Sequence, residues 1–309
     1  MSHSADESGA TPREISYAWS ARSRAGRAVI RSIENLTGRP KLIRMALGYE
    51  REVSAGRNFW EVMTERYRVT VDLGPDGLER IPGEGPLVLV ANHPFGILDG
   101  MALGRILSAR RPHFRIVAHK IFHKARELEQ VILPISFDED KAAQATNIET
   151  RRRALDYLAG GGAIGIFPGG TVSTSKRPFG SPMDPVWRNF TARLVSRSEA
   201  TVVPVYFHGA NSRMFQIASH LHPTLRVALL IKEFGARVGG AIQATVGAPL
   251  PDAEIRARAG DAAALMDYLR DETYALSPEP LESLDYGYEF EAAYIGRDRN
   301  GTRRRSDAA

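Results

Sequence analysis

The sequence predicts an α/β fold: a largely parallel central sheet flanked by helices, with a helical segment ahead of it. Three observations carry this expectation. Leu87-Val88-Leu89-Val90-Ala91 is a continuous apolar run, the pattern of a strand covered on both faces. After it, short apolar runs alternate with longer stretches of helical period as far as about residue 276. The chain has 309 residues, 43% of them hydrophobic, which is enough to fill a large core.

Taken in order, residues 1–12 are polar and read as a disordered lead without the apolar centre of a secretory signal. Residues 13–66 read as a basic helical segment. Ile15, Trp19, Val29, Ile30, Ile33 and Leu36 recur at roughly helical spacing, and Pro40 marks a break before a second helical stretch to about Gly56. Residues 13–51 carry nine basic side chains against three acidic ones, more than the whole chain's formal charge of +5. Such a block suggests an anionic partner, either lipid or nucleic acid. Apart from Tyr17 and Trp19, the block lacks the interleaved aromatics that stack on bases, so no nucleic acid partner is expected. The segment either packs on the main domain or rests in a lipid headgroup region, and the two roles are compatible. No run of about 18 apolar residues is present, so no membrane-spanning helix is expected.

The main domain is expected over 67–276. Strands are predicted at 68–73, 87–91, 114–118, 131–135, 163–167, 201–207 and 241–246, and helices at 98–109, 119–130, 146–159, 188–197, 221–236 and 262–276. A long loop covers 168–186. Residues 277–309 read as a C-terminal tail with a charged end.

Chemistry concentrates at the end of the strand 87–91. In open α/β sheets, sites gather outside the carboxyl ends of strands. There Asn92-His93-Pro94 is followed by Asp99, near the start of the next helix. A carboxylate that folds back onto the imidazole fixes its tautomer and stabilises the imidazolium, leaving His93 to act as a general base. The competing reading is a histidine at a strand end with Asp99 capping a helix. Gly169-Gly170-Thr171 follows another strand, and its bare N–H groups suit an anionic headgroup or an oxyanion as well as a plain turn. Ser173, Lys176 and Arg177 share that loop and are candidates to neutralise a phosphate, although both cations fit a solvated surface too. His208 ends the strand 201–207 and either faces the same cleft or is a structural histidine.

The chain has no cysteine, which excludes a thiolate nucleophile and a disulfide framework. His119 and His123 have metal-ligand spacing but lack a third ligand and the glutamate of a zinc protease motif, so no metal is expected. Gly160-Gly161-Gly162-Ala163-Ile164-Gly165 precedes a strand rather than following one, the wrong context for a dinucleotide site, and no cofactor is expected.

Asn92-His93-Pro94 with the following Asp99 resembles the first motif of the glycerolipid acyltransferases, the superfamily that includes 1-acylglycerol-3-phosphate acyltransferase. Ile166-Phe167-Pro168-Gly169-Gly170-Thr171-Val172-Ser173 resembles the third motif, and Val202-Val203-Pro204-Val205-Tyr206 the fourth. The resemblance spans about 78–250 with the motifs in order. It is closer to one branch, the bacterial proteins labelled hemolysins that are related to ornithine-lipid acyltransferases. The branch is similar at His93-Pro94-Phe95-Gly96-Ile97-Leu98-Asp99-Gly100, at Trp187, and at His208-Gly209-Ala210-Asn211-Ser212-Arg213-Met214-Phe215.

The chain departs from the superfamily in three ways. Five residues, not four, separate His93 from Asp99, as in the closer branch. Gly169 and Val172 stand where the third motif has Glu and Arg. The arginine of the second motif has no clear counterpart, the nearest stretch being Leu133-Pro134-Ile135-Ser136-Phe137-Asp138.

The resemblance implies an O-acyltransferase. An acyl thioester donor, acyl-CoA or acyl-carrier protein, would meet the hydroxyl of a lysolipid acceptor other than glycerol 3-phosphate, with His93 as base and Asp99 orienting it. It implies a peripheral enzyme on an anionic membrane surface, at the cytoplasmic face of a bacterial inner membrane. Two rivals share these residues: a non-catalytic lipid-binding protein, and a lysophospholipase that passes the acyl group to water.

Overall fold

The computed structural model describes residues 15–21, 23–119, 126–136 and 141–290. A 3₁₀ turn at Ala18–Ser20 precedes four helices: α1 (Arg24–Leu36), α2 (Arg39–Ala46), α3 (Tyr49–Ser54) and α4 (Phe59–Arg66). The break expected at Pro40 falls between α1 and α2, and Pro40 opens the second helix. It lies in the first turn of α2, where a missing N–H leaves no bond unmade. Asn58 starts α4, its Oδ1 accepting from the N–H groups of Trp60 and Glu61 at 2.9 and 3.2 Å.

The main domain runs β1 (Thr70–Asp72), β2 (Leu87–Ala91), α5 (Ile97–Arg110), β3 (Phe114–His119), α6 (Arg126–Glu129), β4 (Ile132–Ile135), α7 (Lys141–Ala159) and β5 (Ala163–Ile166). It continues through β6 (Thr174–Ser175), β7 (Pro182–Met183), α8 (Asn189–Val195), β8 (Thr201–Phe207), α9 (Arg213–Leu221), α10 (Pro223–Arg237), β9 (Ala241–Val246), α11 (Asp252–Arg258) and α12 (Ala262–Tyr274).

The structure adds α11, which the sequence reading did not expect, and differs from that reading in four further places. The helix expected over 221–236 is α10, with the unexpected α9 ahead of it. His222 is extended between them, its Nδ1 accepting from Thr224 N–H at 3.0 Å, and Pro223 opens α10. The loop 168–186 contains the antiparallel β6–β7 pair. Of the helix expected over 119–130, Arg126–Glu129 is described and residues 120–125 lie outside the described set, as does His123. The tail expected from 277 is built into the domain as far as 290: Gly287 N–H donates to Asp184 O and Tyr288 N–H to Thr174 O, both at 2.9 Å.

The seven-stranded sheet has the order β1-β9-β8-β2-β5-β3-β4. The strands from β8 to β4 are parallel neighbours; β9 runs antiparallel to β8, and β1 is parallel to β9. Alternation along β2 explains its unbroken apolar sequence. Leu87, Leu89 and Ala91 join the core with Trp60, Leu103 and Phe234, while Val88 and Val90 join the core with Leu158, Leu194 and Leu269. Helices cover both faces, so no position of β2 reaches water. In register, Ala91 lies opposite Val205 of β8, and Val90 opposite Ile166 of β5. The loops after β2, β5 and β8 therefore leave the sheet along one edge.

Candidate active site

Asn92 ends β2. Its Oδ1 accepts the Phe207 N–H at 2.6 Å and its Nδ2 donates to Phe207 O at 2.9 Å, so a side-chain amide continues the ladder to β8 where the main chain turns away. Pro94, with no N–H, prevents a further rung. Gly96 turns the chain into α5 with φ +89°, and a Cβ there would lie 3.1 Å from the Tyr17 hydroxyl, so both the backbone and the space require glycine.

Asp99 is the third residue of α5 and fully buried. Its Oδ2 accepts from the N–H groups of Phe95 and Gly96 at 2.7 and 2.9 Å. His93 Nδ1 lies 2.9 Å from the same oxygen. The ring N–H is not aligned on it, so this is a close contact that needs a small rotation to become a bond; such looseness is common in sites without substrate. Asp99 thus caps the helix and faces the histidine, combining the two readings its position allowed. Burial raises the Asp99 carboxyl above the usual carboxylate range, opposed by His93 and by the two N–H groups. The His93 ring stacks on Phe167 at the end of β5, centroids 4.3 Å apart and planes inclined by 24°.

A second buried carboxylate, Asp184, holds the main chain of this site. Its Oδ1 accepts from His93 N–H at 3.2 Å and from Ser173 Oγ at 2.5 Å, and its Oδ2 accepts from Trp187 Nε1 at 2.9 Å. Ser173 N–H donates to His93 O at 2.8 Å. His93 is therefore gripped at both main-chain polar atoms. Asp184 sits in an irregular loop, outside any pattern the sequence displays. Trp187, which marks the branch-specific resemblance, was the nearest signal.

The expected binding residues divide. Gly169 backs onto Asp184, where a Cβ would meet Oδ2 at 3.2 Å. Gly170 N–H donates to Phe167 O at 3.0 Å, so it is not bare as the sequence reading had it. Thr171 Oγ1 accepts from Arg226 at 2.9 Å. Ser173 is bound to Asp184 and buried, so its hydroxyl is not free for a headgroup. Lys176 and Arg177 are exposed beyond β6, and the structure does not bring them to His93. His208 is tied to the sheet: its Nε2 pairs with Thr245 Oγ1 of β9 at 2.7 Å, and burial lowers its pKa. Among the described residues, no group of three acidic or metal-ligating side chains could hold a metal ion.

The N-terminal segment contributes more than the sequence suggested. Glu34, buried in α1, accepts from Ser16 Oγ at 2.5 Å and from Tyr17 N–H at 2.6 Å. This lays Tyr17 against Gly96, and Trp19 stacks on His119 at 4.4 Å. Burial raises the Tyr17 phenol far above its ordinary range, with the charge of Asp99 adding to the effect.

The parallel-sheet edge thus sets a histidine against a buried carboxylate on an Asn-His-Pro loop, the arrangement that the acyltransferase resemblance led to expect. The sequence profile described as Acyltransferase matches residues 42–287, and the chain belongs to that acyltransferase family. It is 26% identical over 203 residues to the lyso-glycine lipid O-acyltransferase of Phocaeicola vulgatus, covering 63% of this chain and 70% of the relative. The protein of the same name from Bacteroides thetaiotaomicron is 28% identical over 162 residues, covering 52% of this chain and 56% of the relative. The crystal structure of the 1-acyl-sn-glycerophosphate acyltransferase PlsC from Thermotoga maritima aligns with 15% identity and a TM-score of 0.42, over 86% of this chain and 87% of that one.

Proposed function

We propose that this acyltransferase moves an acyl group from a thioester donor, acyl-CoA or acyl-carrier protein, to the hydroxyl of a lysolipid, with His93 as the general base. The observation that carries the reading is the His93–Asp99 contact at 2.9 Å on the strand-end loop. Nδ1 faces the carboxylate, whereas Nε2 makes no hydrogen bond among the described residues, and the side chain is 17% exposed. Nε2 takes the proton as the acceptor oxygen attacks the thioester carbonyl. The C–S bond then breaks, and the imidazolium returns the proton to the departing thiolate. No covalent acyl-enzyme is needed, in keeping with a chain that has no cysteine.

The relatives' names support a lysolipid acceptor and point to a headgroup other than glycerol 3-phosphate. The enzyme is proposed to work at an anionic membrane surface, on the cytoplasmic face of the inner membrane. No helix among the described residues is long and apolar enough to cross a membrane. Exposed Val29 and Leu36 on α1 and exposed Met214, Ile217 and Leu221 on α9 supply apolar contact, with the exposed cations Arg24, Arg27, Lys41 and Arg44 nearby in sequence.

The test incubates purified protein with labelled acyl-CoA or acyl-carrier protein and a panel of lysolipids, with His93→Ala as control. The expected result is an acylated lipid that the control does not make. Equal product from the control would sink the base assignment. Free fatty acid as the sole product would make the enzyme a hydrolase, and no product a non-catalytic binder.

A further inference from the structure

The buried arginines of this protein are mostly accounted for. Arg188 faces Glu289 at 2.8 Å, and Arg39 donates to Ile15 O at 2.7 Å and to Asn35 Oδ1 at 3.1 Å. Arg111 and Arg270 direct both terminal nitrogens onto main-chain carbonyls.

Arg226, in the first turns of α10, is different. It is 7% exposed, and among the described residues no carboxylate lies within ion-pair distance of it. All its hydrogen bonds leave from Nη2, to Thr171 Oγ1 and Val172 O at 2.9 Å and to Thr174 Oγ1 at 3.5 Å. Among the described residues its Nε is buried without a partner and Nη1 makes no hydrogen bond. The guanidinium carbon lies 4.1 Å from the Phe290 ring centroid and 5.6 Å from that of Phe215, so its surroundings are apolar. Burial without a counter-charge pulls its pKa down to about 10. An uncompensated buried cation is costly, and an oxyanion in contact with it removes that cost through charge-assisted hydrogen bonds.

The position of Arg226 gives the anion a place in the reaction. Its Nη2 grips Thr171 and Val172, and the next residue, Ser173, donates to His93 O at 2.8 Å. The Thr171 N–H has no partner among the described residues, and the hydroxyl of the same residue touches the guanidinium. We infer that Arg226, together with Thr171, binds the headgroup oxyanion of the acceptor, a carboxylate or a phosphate monoester, and so selects which lysolipid is acylated. This rests on the lysolipid reading above.

The test has two parts. In the first, inorganic phosphate is titrated into the wild type and R226Q while thermal unfolding is followed. Phosphate is expected to raise the Tm of the wild type and to leave R226Q nearly unmoved; equal shifts would overturn the site. In the second, kcat/KM is compared for hydroxylated lysolipids ending in a free carboxylate, in its methyl ester and in a phosphate monoester. R226Q is expected to lower the rate with an anionic acceptor about tenfold more than with the ester, and R226K to restore part of the difference. The favoured anion identifies the headgroup chemistry. Equal losses on all three acceptors would reduce Arg226 to a structural role. A raised KM for acyl-CoA in place of the acceptor effect would assign the anion to the donor, and either result overturns the inference. If R226Q does not fold, R226K is compared with the wild type in both parts, and an unchanged acceptor preference together with an unchanged phosphate shift counts against the site. If the wild type acylates no lysolipid, the lysolipid reading falls and the phosphate titration alone decides whether Arg226 holds an anion.

Discussion

At the scale of single residues, Asp99 does two jobs with one oxygen. Its Oδ2 receives both N–H groups that open α5 and lies against His93 Nδ1, while Oδ1 is buried with no partner. Asp99→Asn leaves an acceptor for the N–H groups but no charge for an imidazolium. The variant is expected to fold and to lose about 10²- to 10⁴-fold in kcat, comparable to His93→Ala. Steady-state kinetics beside circular dichroism checks this, and an Asn variant with wild-type kcat would remove the pairing from the mechanism. The raised carboxyl gives a second prediction. Burial favours the protonated form, so Asp99 is expected to titrate above the ordinary value of about 3.9. His93 is the strongest influence lowering it, so His93→Ala should raise the midpoint further. The sign for stability follows: between the unfolded and the folded pKa the native state holds the extra proton, so acidification through that window stabilises Asp99's surroundings, and ionisation above it costs stability. Carbon-13 NMR of the labelled side chain reads the midpoint directly, and a value at or below the ordinary one would contradict the burial argument.

At the scale of elements, the loop between β5 and α8 is held to the β2–α5 loop by Asp184. Asp184→Asn puts an amide where His93 N–H, Ser173 Oγ and Trp187 Nε1 all donate, leaving buried donors facing a donor. The expected loss is about 2–3 kcal/mol, against about 1 kcal/mol for Ser173→Ala, which removes one bond. Chemical denaturation of the two variants tests the order, and a Ser173→Ala loss equal to that of Asp184→Asn would mean that Asp184 is not the hub. Legibility in the sequence stopped at this scale. The His93–Asp99 pair and the regular elements were readable because strand ends, helix starts and periodicities are local. Asp184 was not, since its partners lie 91, 11 and 3 residues away and no period links them. Arg226 was equally hidden, because a helical arginine reads as surface until the fold buries it 54 residues from its acceptor Val172. Ser173, Lys176 and Arg177 show the converse: adjacency on one loop suggested a shared cleft, but the β6–β7 turn sends the last two to the surface and Asp184 takes the first.

At the scale of the whole molecule, the alternation of strands and helices foretold a covered, largely parallel sheet, but not its order, and not β9, which reverses direction beside β8. Strand order is set by which crossovers pack, and that depends on contacts far apart in sequence. The same long-range packing fixes the basic N-terminal segment. Its helix α1 turns Ile30 inward onto Ala228 of α10 and leaves Val29 and Leu36 outside, Leu36 being 87% exposed. Helix α9, which also packs on α10, exposes Met214, Ile217 and Leu221, the last at 71%. Two helices that pack on a common one thus expose apolar side chains, and both also carry exposed arginines, Arg24 and Arg27 on α1 and Arg213 on α9, a combination suited to an anionic lipid surface. Flotation on vesicles containing anionic lipid measures it. Binding is expected at about 0.1 M salt and to weaken at about 1 M, where the Debye length falls from about 10 to about 3 Å. Leu36→Glu with Leu221→Glu should abolish flotation while leaving the Tm within a few degrees, since neither side chain is buried. Loss of binding in high salt with no effect of the double substitution would make the attraction purely electrostatic, carried by the arginines of α1. Unchanged flotation in both experiments would remove this face from membrane contact altogether.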